Sequence, residues 1–283
     1  MSRRALCALV CVAVTPAGPV LADDAAVNWV PGPAVVALGE VAQVDLKPGY
    51  VFADASGTQK LMEMMGNRVS GNEVGLVSPQ AEGQDWILVF DYHAVGYVKD
   101  DEKDKIDENA LFRSIQEGTE QANEYRKQKG MPGLHVVRWF EEPHYDSKSH
   151  NLVWALLARE DGGGEVVNYN MRVLGREGYM SVTLVDEPRK LAASKPLVQN
   201  VLHGFSYKSG KTYAEFRPGD KIAEYGLMAL VAGGAGAAAL KLGLFAALWK
   251  AIAKGGKALV LVVVAALAGL KKLFSSISGR RNE

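Results

Sequence analysis

Residues 135–185 read HVVRWFEEPHYDSKSHNLVWALLAREDGGGEVVNYNMRVLGREGYMSVTLV. Most of this stretch is β-type sequence, divided by glycine-rich turns such as Asp161–Gly164 and Gly175–Gly178. Turns of this composition join neighbouring antiparallel strands. The stretch therefore predicts an antiparallel sheet whose consecutive strands are His135–Glu141, Leu152–Arg159, Val166–Leu174 and Tyr179–Val185.

Amphipathic helices flank this hairpin series. Leu111, Ile115 and Tyr125 recur at helical spacing in 108–129, where Asp107 is the expected N-cap, and 188–200 predicts a second helix. A third, shorter helix is predicted at 56–65. Further strands are predicted at Ala34–Leu38, Ala42–Leu46, Tyr50–Ala53, Glu73–Val77, Trp86–Tyr92 and Gly204–Lys208. We therefore predict an α+β fold with an antiparallel sheet, one side of which is covered by two or three helices.

The N-terminus has the pattern of a secretory signal. Arg3 and Arg4 precede the apolar run 5–14, and Val20-Leu21-Ala22 suits cleavage before Asp23, so residues 1–22 are the predicted signal peptide. Both cysteines, Cys7 and Cys11, lie within it. A mature chain without cysteine excludes disulfides, zinc–thiolate sites and cysteine nucleophiles, and its stability must come from core burial.

The C-terminus predicts a membrane anchor. Residues 227–249 form an apolar run interrupted by Lys241, and 258–270 form a shorter, uninterrupted one. A helix needs about 20 apolar residues to cross a bilayer, so 227–249 is the predicted transmembrane helix. The basic tail 250–283 belongs on the cytoplasmic side, with 258–270 on or in the inner leaflet. A two-crossing hairpin that uses both runs stays open as an alternative.

The remaining chain divides into an exported domain, 23–212, and a short linker, 213–226. Of 32 basic residues, two lie in the signal and eight beyond residue 226; of 32 acidic residues, only Glu283 lies outside 23–226. The exported part therefore carries 22 basic and 31 acidic residues, a net charge of −9, and the part from 227 onward carries +7. An acidic domain argues against nucleic acid as a partner, and the basic tail suits anionic lipid.

Candidate catalytic and metal-binding patterns are weak. Gly210-Lys211-Thr212 lacks the first glycine of a phosphate loop, and the acidic run 100–108 lacks the glycine and closing glutamate of a calcium-binding EF-hand loop. A metal site from His144, His150 and Asp146 is possible in spacing, but scattered histidines are more often structural. We expect no metal and no cofactor. The enzymatic alternative is an envelope hydrolase that uses Glu141 or Glu142 with His144 and Asp146.

The chain resembles a bacterial family of predicted membrane-anchored proteins of unknown function over residues 29–245. The motifs that carry the resemblance are Gly66-Asn67, Gly96–Asp101, Glu117–Thr119 with Ala122, Asn123 and Arg126, Trp139 with Pro143–Asp146, Leu152–Trp154, Val167–Tyr169, Leu174–Gly178 and Pro218–Gly226. The resemblance implies an exported domain on a C-terminal anchor and brings no known catalytic residue. The polar motif residues form the candidate functional surface, namely Lys99, Asp100, Asn123, Arg126, Asn168 and Arg176.

We therefore expect a membrane-anchored envelope protein whose domain faces the periplasm and acts by binding or scaffolding. Its expected partners are membrane lipid, through 227–270, and another membrane or envelope protein. The expected location is the cytoplasmic membrane of a bacterium, with the tail in the cytoplasm.

Overall fold

The computed structural model describes residues 27–103 and 106–232, in which groups of consecutive strands are separated by single helices. The elements are β1 (Trp29–Pro31), β2 (Ala34–Leu38), β3 (Ala42–Leu46), β4 (Tyr50–Asp54), α1 (Ala55–Met64), β5 (Glu73–Pro79), β6 (Ile87–His93), α2 (Glu108–Gln128), β7 (Leu134–Asp146), β8 (Asn151–Glu160), β9 (Glu165–Leu174), β10 (Tyr179–Asp186), α3 (Leu191–His203), β11 (Phe205–Tyr207), a 3₁₀ turn (Tyr213–Glu215) and α4 (Leu227–Ala232). The fold class is α+β, as the sequence predicts.

The main sheet has eight strands in the order β1-β4-β5-β6-β10-β9-β8-β7, all paired antiparallel. The predicted hairpin series is confirmed, because β7, β8, β9 and β10 are neighbours in chain order. Gly163, at φ +89°, donates to the carbonyl of Glu160 at 2.8 Å and closes the β8–β9 turn. The Gly175 N–H donates to the Gly178 carbonyl at 2.8 Å in the β9–β10 turn.

One face of the main sheet is covered by α3 and a second, three-stranded sheet of order β11-β3-β2. The buried side chains on this face come from alternate positions of the strands, as period-two geometry requires. They form one apolar core, which includes Val44, Phe52, Phe90, Ala155, Tyr169, Val182, Leu184, Val198 and Val201.

The opposite face carries α1 and α2. The ring of Phe112 on α2 lies 5.5 Å from that of Trp139 on β7. Trp139 pairs with Leu156 of β8, whose side chain lies on the opposite face of the sheet from that of its neighbour Ala155 in the apolar core. Arg126 on α2 reaches the carbonyl of Met65 at the end of α1. Two of the predicted helices, 56–65 and 108–129, therefore share one side of the sheet, whereas the third, α3, lies on the other side. The small sheet occupies space beside α3, so α1 and α2 cover the other face.

The segment 213–226, which the sequence predicts as a short linker, folds back onto the domain. Pro218-Gly219 forms a turn rather than a spacer, and the chain then enters α4, which packs against α2.

The predicted signal 1–22 and the predicted anchor and tail from 233 onward lie outside the described residues. Within 27–103 and 106–232, no helix has the length and apolarity that a membrane crossing requires.

Candidate functional site

The segment 213–226, called the C-terminal segment below, is fixed to the domain by an ion pair. Arg176, in the β9–β10 turn, donates two parallel hydrogen bonds to the Asp220 carboxylate, both 2.7 Å long. A third bond from the guanidinium reaches the carbonyl of Gly210 at 3.3 Å. Arg176 holds the pKa of Asp220 at about 2, so the pair stays ionised at ordinary pH. Bidentate geometry makes this contact more specific than a simple surface ion pair.

Backbone pairing adds a second attachment beside Gly96. The Tyr97 N–H donates to the Lys221 carbonyl at 2.8 Å, and the Ala223 N–H donates to the Tyr97 carbonyl at 2.9 Å. Gly96 has φ +101°, and a Cβ there would lie 2.6 Å from the Lys221 oxygen. Only glycine allows this close approach, which explains its place before Tyr97 in the motif 96–101.

Stacked rings fill the space between the C-terminal segment and the sheet. The Tyr97 ring lies 4.4 Å from that of Tyr213 and 4.3 Å from that of Phe216, and His150 lies 4.5 Å from Tyr213. The Tyr213 hydroxyl donates to the Val98 carbonyl at 2.9 Å. Tyr145 joins these four residues through its hydroxyl, and the five together are called the aromatic cluster below. Offset and tilted ring pairs of this kind contribute about 0.5–1.5 kcal/mol each beyond their buried area.

A hydrogen-bond chain links Asp100, Tyr145 and His150. The Tyr145 hydroxyl donates to Asp100 Oδ2 at 3.0 Å and lies 3.2 Å from His150 Nδ1. Since the hydroxyl has a single proton, and Asp100 accepts it, His150 must donate from Nδ1. Burial and the Asp100 carboxylate raise the pKa of Tyr145, so its hydroxyl stays neutral. The chain therefore holds β7 against the 97–100 loop and supplies no activated nucleophile.

Three of the six candidate surface residues lie at this end of the sheet. Asp100 and Arg176 hold the cluster and the C-terminal segment, and Lys99 is exposed beside them. The structure thus brings together motif segments 96–101, 143–146, 174–178 and 218–226, which are far apart in sequence.

The other three candidates lie elsewhere, and for two of them the predicted surface position is wrong. The Asn123 side chain bonds to the Leu134 backbone as a neighbouring strand would. It accepts from the N–H of Leu134 and donates to the Leu134 carbonyl. Arg126 is buried, with Nε bonded to the Pro132 carbonyl at 2.7 Å. Asn168 is 1% exposed on β9. Arg126 is buried because the end of its helix packs onto the loop before β7. Asn168 is buried because it lies on the sheet face that carries α1 and α2.

The residues of the hydrolase alternative do not form an enclosed site. Glu142, His144 and Asp146 are all exposed at the end of β7. Asp146 accepts from the Lys148 N–H at 2.9 Å and from Ser149 Oγ at 2.7 Å, so it stabilises the following turn. Glu141 Oε2 pairs with Lys195 of α3 at 2.8 Å, and its Oε1 lies 3.8 Å from His144 Nδ1, which is beyond hydrogen-bond distance. In the described part of the chain, no three His, Cys, Asp or Glu residues are placed to share a metal ion.

The sequence analysis missed a buried polar row on the face that carries α2. Glu73, Asp91, Ser181 and Arg172 stand opposite one another on β5, β6, β10 and β9. Each is at most 7% exposed. Arg172 stacks over Trp154, with its guanidinium carbon 4.6 Å from the ring centre. The available signal was the alternation Asn168, Asn170, Arg172, which in an antiparallel strand ordinarily indicates a solvent-facing side.

Loss of the Arg176–Asp220 pair should release the C-terminal segment. In Arg176→Met, we expect trypsin to cut after Lys221 several-fold faster, because proteases cut backbone that has become mobile. Quantifying the peptide that ends at Lys221 by mass spectrometry measures this rate. Arg189→Met, which removes an exposed ion pair to Glu187, is the control and should leave the rate unchanged. Equal rates in Arg176→Met and the unaltered protein would show that the pair does not hold the segment.

Known structures with a similar backbone were found at low similarity. The solution structure of cyanobacterial PsbP (CyanoP) from Synechocystis sp. PCC 6803 has 12% identity and a TM-score of 0.39, over 65% of this chain and 94% of that one. The Saccharomyces cerevisiae Ran-binding protein Mog1p has 9% identity and a TM-score of 0.31, over 68% of this chain and 98% of its own. No curated protein matches the chain. A family model described as "Protein of unknown function (DUF2167)" matches residues 30–268, and the chain belongs to that family.

Proposed function

We propose that this protein is a non-enzymatic binding or scaffolding protein of the bacterial envelope. After export, its domain stays on the outer side of the cytoplasmic membrane, anchored by residues 233–249 of the predicted span 227–249, and the basic tail 250–283 lies in the cytoplasm. Its partners are lipid and a membrane or envelope protein close to the bilayer.

The docked C-terminal segment carries this proposal. Fourteen free residues would span up to about 45–50 Å when extended and would let the domain reach far from its anchor. Instead, residues 213–226 are attached at Tyr97 and Arg176, and α4 begins at Leu227. A domain held this close to its anchor suits a function performed at the membrane surface.

The sequence beyond α4 supports an anchor of minimal length. The first six residues of the predicted span form α4 and pack on α2, which leaves 233–249 for the crossing. These 17 positions lie at the lower end of the usual range for a transmembrane helix. Tyr225 and Trp249 border the apolar run, as aromatic residues often do at membrane interfaces. A hairpin that also uses 258–270 is the alternative topology.

The chemistry of the site favours binding over catalysis. Asp100, Tyr145 and His150 bond to one another, Asp220 bonds to Arg176, and Glu215 accepts from the N–H groups of Gly210 and Thr212. These groups are used in holding elements together. The hydrolase alternative is disfavoured, because Glu142, His144 and Asp146 face solvent and Glu141, which approaches His144, is paired with Lys195.

Protease protection of spheroplasts tests the proposed orientation. Epitope tags are placed after Asp23 and at Glu283, and protease is added before or after the cells are permeabilised. We expect the tag after Asp23 to be removed from intact spheroplasts and the tag at Glu283 to survive until permeabilisation. Removal of the Glu283 tag from intact spheroplasts would support the hairpin, and survival of both tags would overturn the proposal.

A further inference from the structure

An exposed apolar and basic patch adjoins Tyr97 of the aromatic cluster and includes Phe216, which belongs to both. Phe216 is 37% exposed and Ile222 is 38% exposed, and both adjoin Tyr97. Large apolar side chains with this exposure are few in the described residues, and these two lie only six positions apart. Three basic side chains, Lys99, Arg217 and Lys221, are exposed in the same loops. These five residues are called the rim patch below.

We propose that the rim patch lies on the lipid bilayer, with Phe216 and Ile222 in the headgroup region. The inference rests on the proposed function, since it requires that the chain beyond α4 enters the membrane. It goes further, because it assigns a specific lipid-contacting surface and therefore an orientation to the domain.

The chain length between the patch and the anchor limits where the patch can lie. Leu227 lies five positions after Ile222, a distance of at most about 18 Å, and the six residues of α4 add about 9 Å. The bonds of Tyr97 to Lys221 and Ala223 fix Ile222 to the domain. The patch is thus tied within about 3 nm of the residue that begins the crossing.

The charge of residues 216–224 permits this face to approach anionic lipid. A body of net charge −9 is repelled by anionic headgroups, so a face with fewer free carboxylates approaches more easily. In 216–224 the carboxylate of Asp220 is neutralised by Arg176, which leaves Glu224 against Arg217 and Lys221. Apolar side chains flanked by lysine and arginine are typical of surfaces that lie in a membrane interface.

Single-cysteine labelling measures the contact, because the predicted mature chain contains no cysteine. Full-length protein carrying Phe216→Cys or Ile222→Cys is spin-labelled and placed in nanodiscs of phosphatidylcholine, alone or with phosphatidylglycerol. The readout is the ratio of accessibility to oxygen, which enters lipid, over accessibility to a water-soluble nickel chelate. Phe140→Cys is the matched control, since Phe140 is 38% exposed on β7, and Leu242→Cys reports on the anchor.

We expect the ratio at 216 and 222 to exceed that at 140 several-fold, and to rise further when phosphatidylglycerol is present. Equal ratios at 216, 222 and 140, with position 242 in lipid, would overturn the inference and leave the anchor in place. A water-exposed label at 242, or failure of the protein to enter the discs, would overturn the proposed function and this inference together. Circular dichroism of each labelled protein confirms that the variant is folded.

Discussion

Replacing Arg126 by methionine is expected to lower the free energy of unfolding by about 3–5 kcal/mol, because it leaves a buried carboxylate without its cation. Arg126 Nη2 lies 3.6 Å from Glu160 Oε1, and the side chains are 5% and 10% exposed. Methionine fills much of the same volume but cannot compensate the charge. It also leaves the Pro132 carbonyl without the 2.7 Å bond from Arg126 Nε. Urea unfolding followed by tryptophan fluorescence measures the change.

Two further variants separate the charge effect from general damage to α2. Arg113→Met alters an exposed position on the same helix and should change stability by less than about 0.5 kcal/mol. Adding Glu160→Gln to Arg126→Met removes the unpaired charge and should recover part of the loss. If Arg126→Met unfolds at the same urea concentration as the unaltered protein, Glu160 does not depend on this arginine.

The second large effect is on pH dependence, and it arises in the buried polar row. Burial and the nearby Glu73 carboxylate raise the pKa of Asp91 from its usual 3.8 to about 7, although Arg172 and Ser181 oppose the shift. Burial and the Arg172 cation lower the pKa of the neighbouring His93 from 6.5 to about 4, against an opposing effect of Glu73. The folded protein therefore carries Asp91 protonated and His93 neutral between about pH 4 and 6.5.

The two groups act on stability with opposite signs in this window. Asp91 holds a proton in the folded state that the unfolded chain has released, so its contribution is full below pH 3.8 and is lost as the pH rises toward 7. His93 lacks a proton that the unfolded chain binds, so its contribution is full above pH 6.5 and is lost as the pH falls toward 4. Each changes the unfolding free energy by at most about 1.4 kcal/mol per pH unit, and in the unaltered protein the two slopes largely cancel.

Single variants should therefore show slopes that the unaltered protein hides. From pH 4.5 to 6.5, the stability of Asp91→Asn relative to the unaltered protein should rise by about 2–3 kcal/mol, and that of His93→Phe should fall by a similar amount. Phenylalanine keeps an aromatic ring against Tyr179, on which His93 stacks at 4.7 Å. Urea unfolding at several pH values gives the three curves. Parallel curves would show that neither group titrates abnormally in the folded protein.

The hairpin series was predictable because its signals are local. The glycine turns at 161–164 and 175–178 separate runs of apolar residues, and each strand pairs with the next one along the chain. The insertion of β6 next to β10 was not predictable in this way. Those strands are distant in sequence, and their pairing depends on how the two halves of the sheet fit together.

The site was harder to predict because its contacts connect residues far apart in the sequence, and because several of its polar residues are buried rather than exposed. Pro218-Gly219 read locally as a linker, since the 44-residue separation of Arg176 and Asp220 hides their ion pair from any local pattern. Polar residues at alternate positions of β9 indicate a solvent-exposed face of the sheet, so the burial of Asn168 and Arg172 was unexpected. Arg126 and Asn123 belong to motifs of the family, but the structure gives both a role in holding α2 to the start of β7.

Alkaline extraction of membranes tests most directly whether this domain is held at the bilayer by its own C-terminus. Membranes from cells that produce the untagged full chain are washed with sodium carbonate at high pH, which removes proteins bound only at the surface. We predict that the protein stays in the membrane pellet and is released by detergent. Its appearance in the carbonate supernatant, or as a freely soluble protein in the cytosolic fraction, would contradict membrane anchoring and the functions proposed from it.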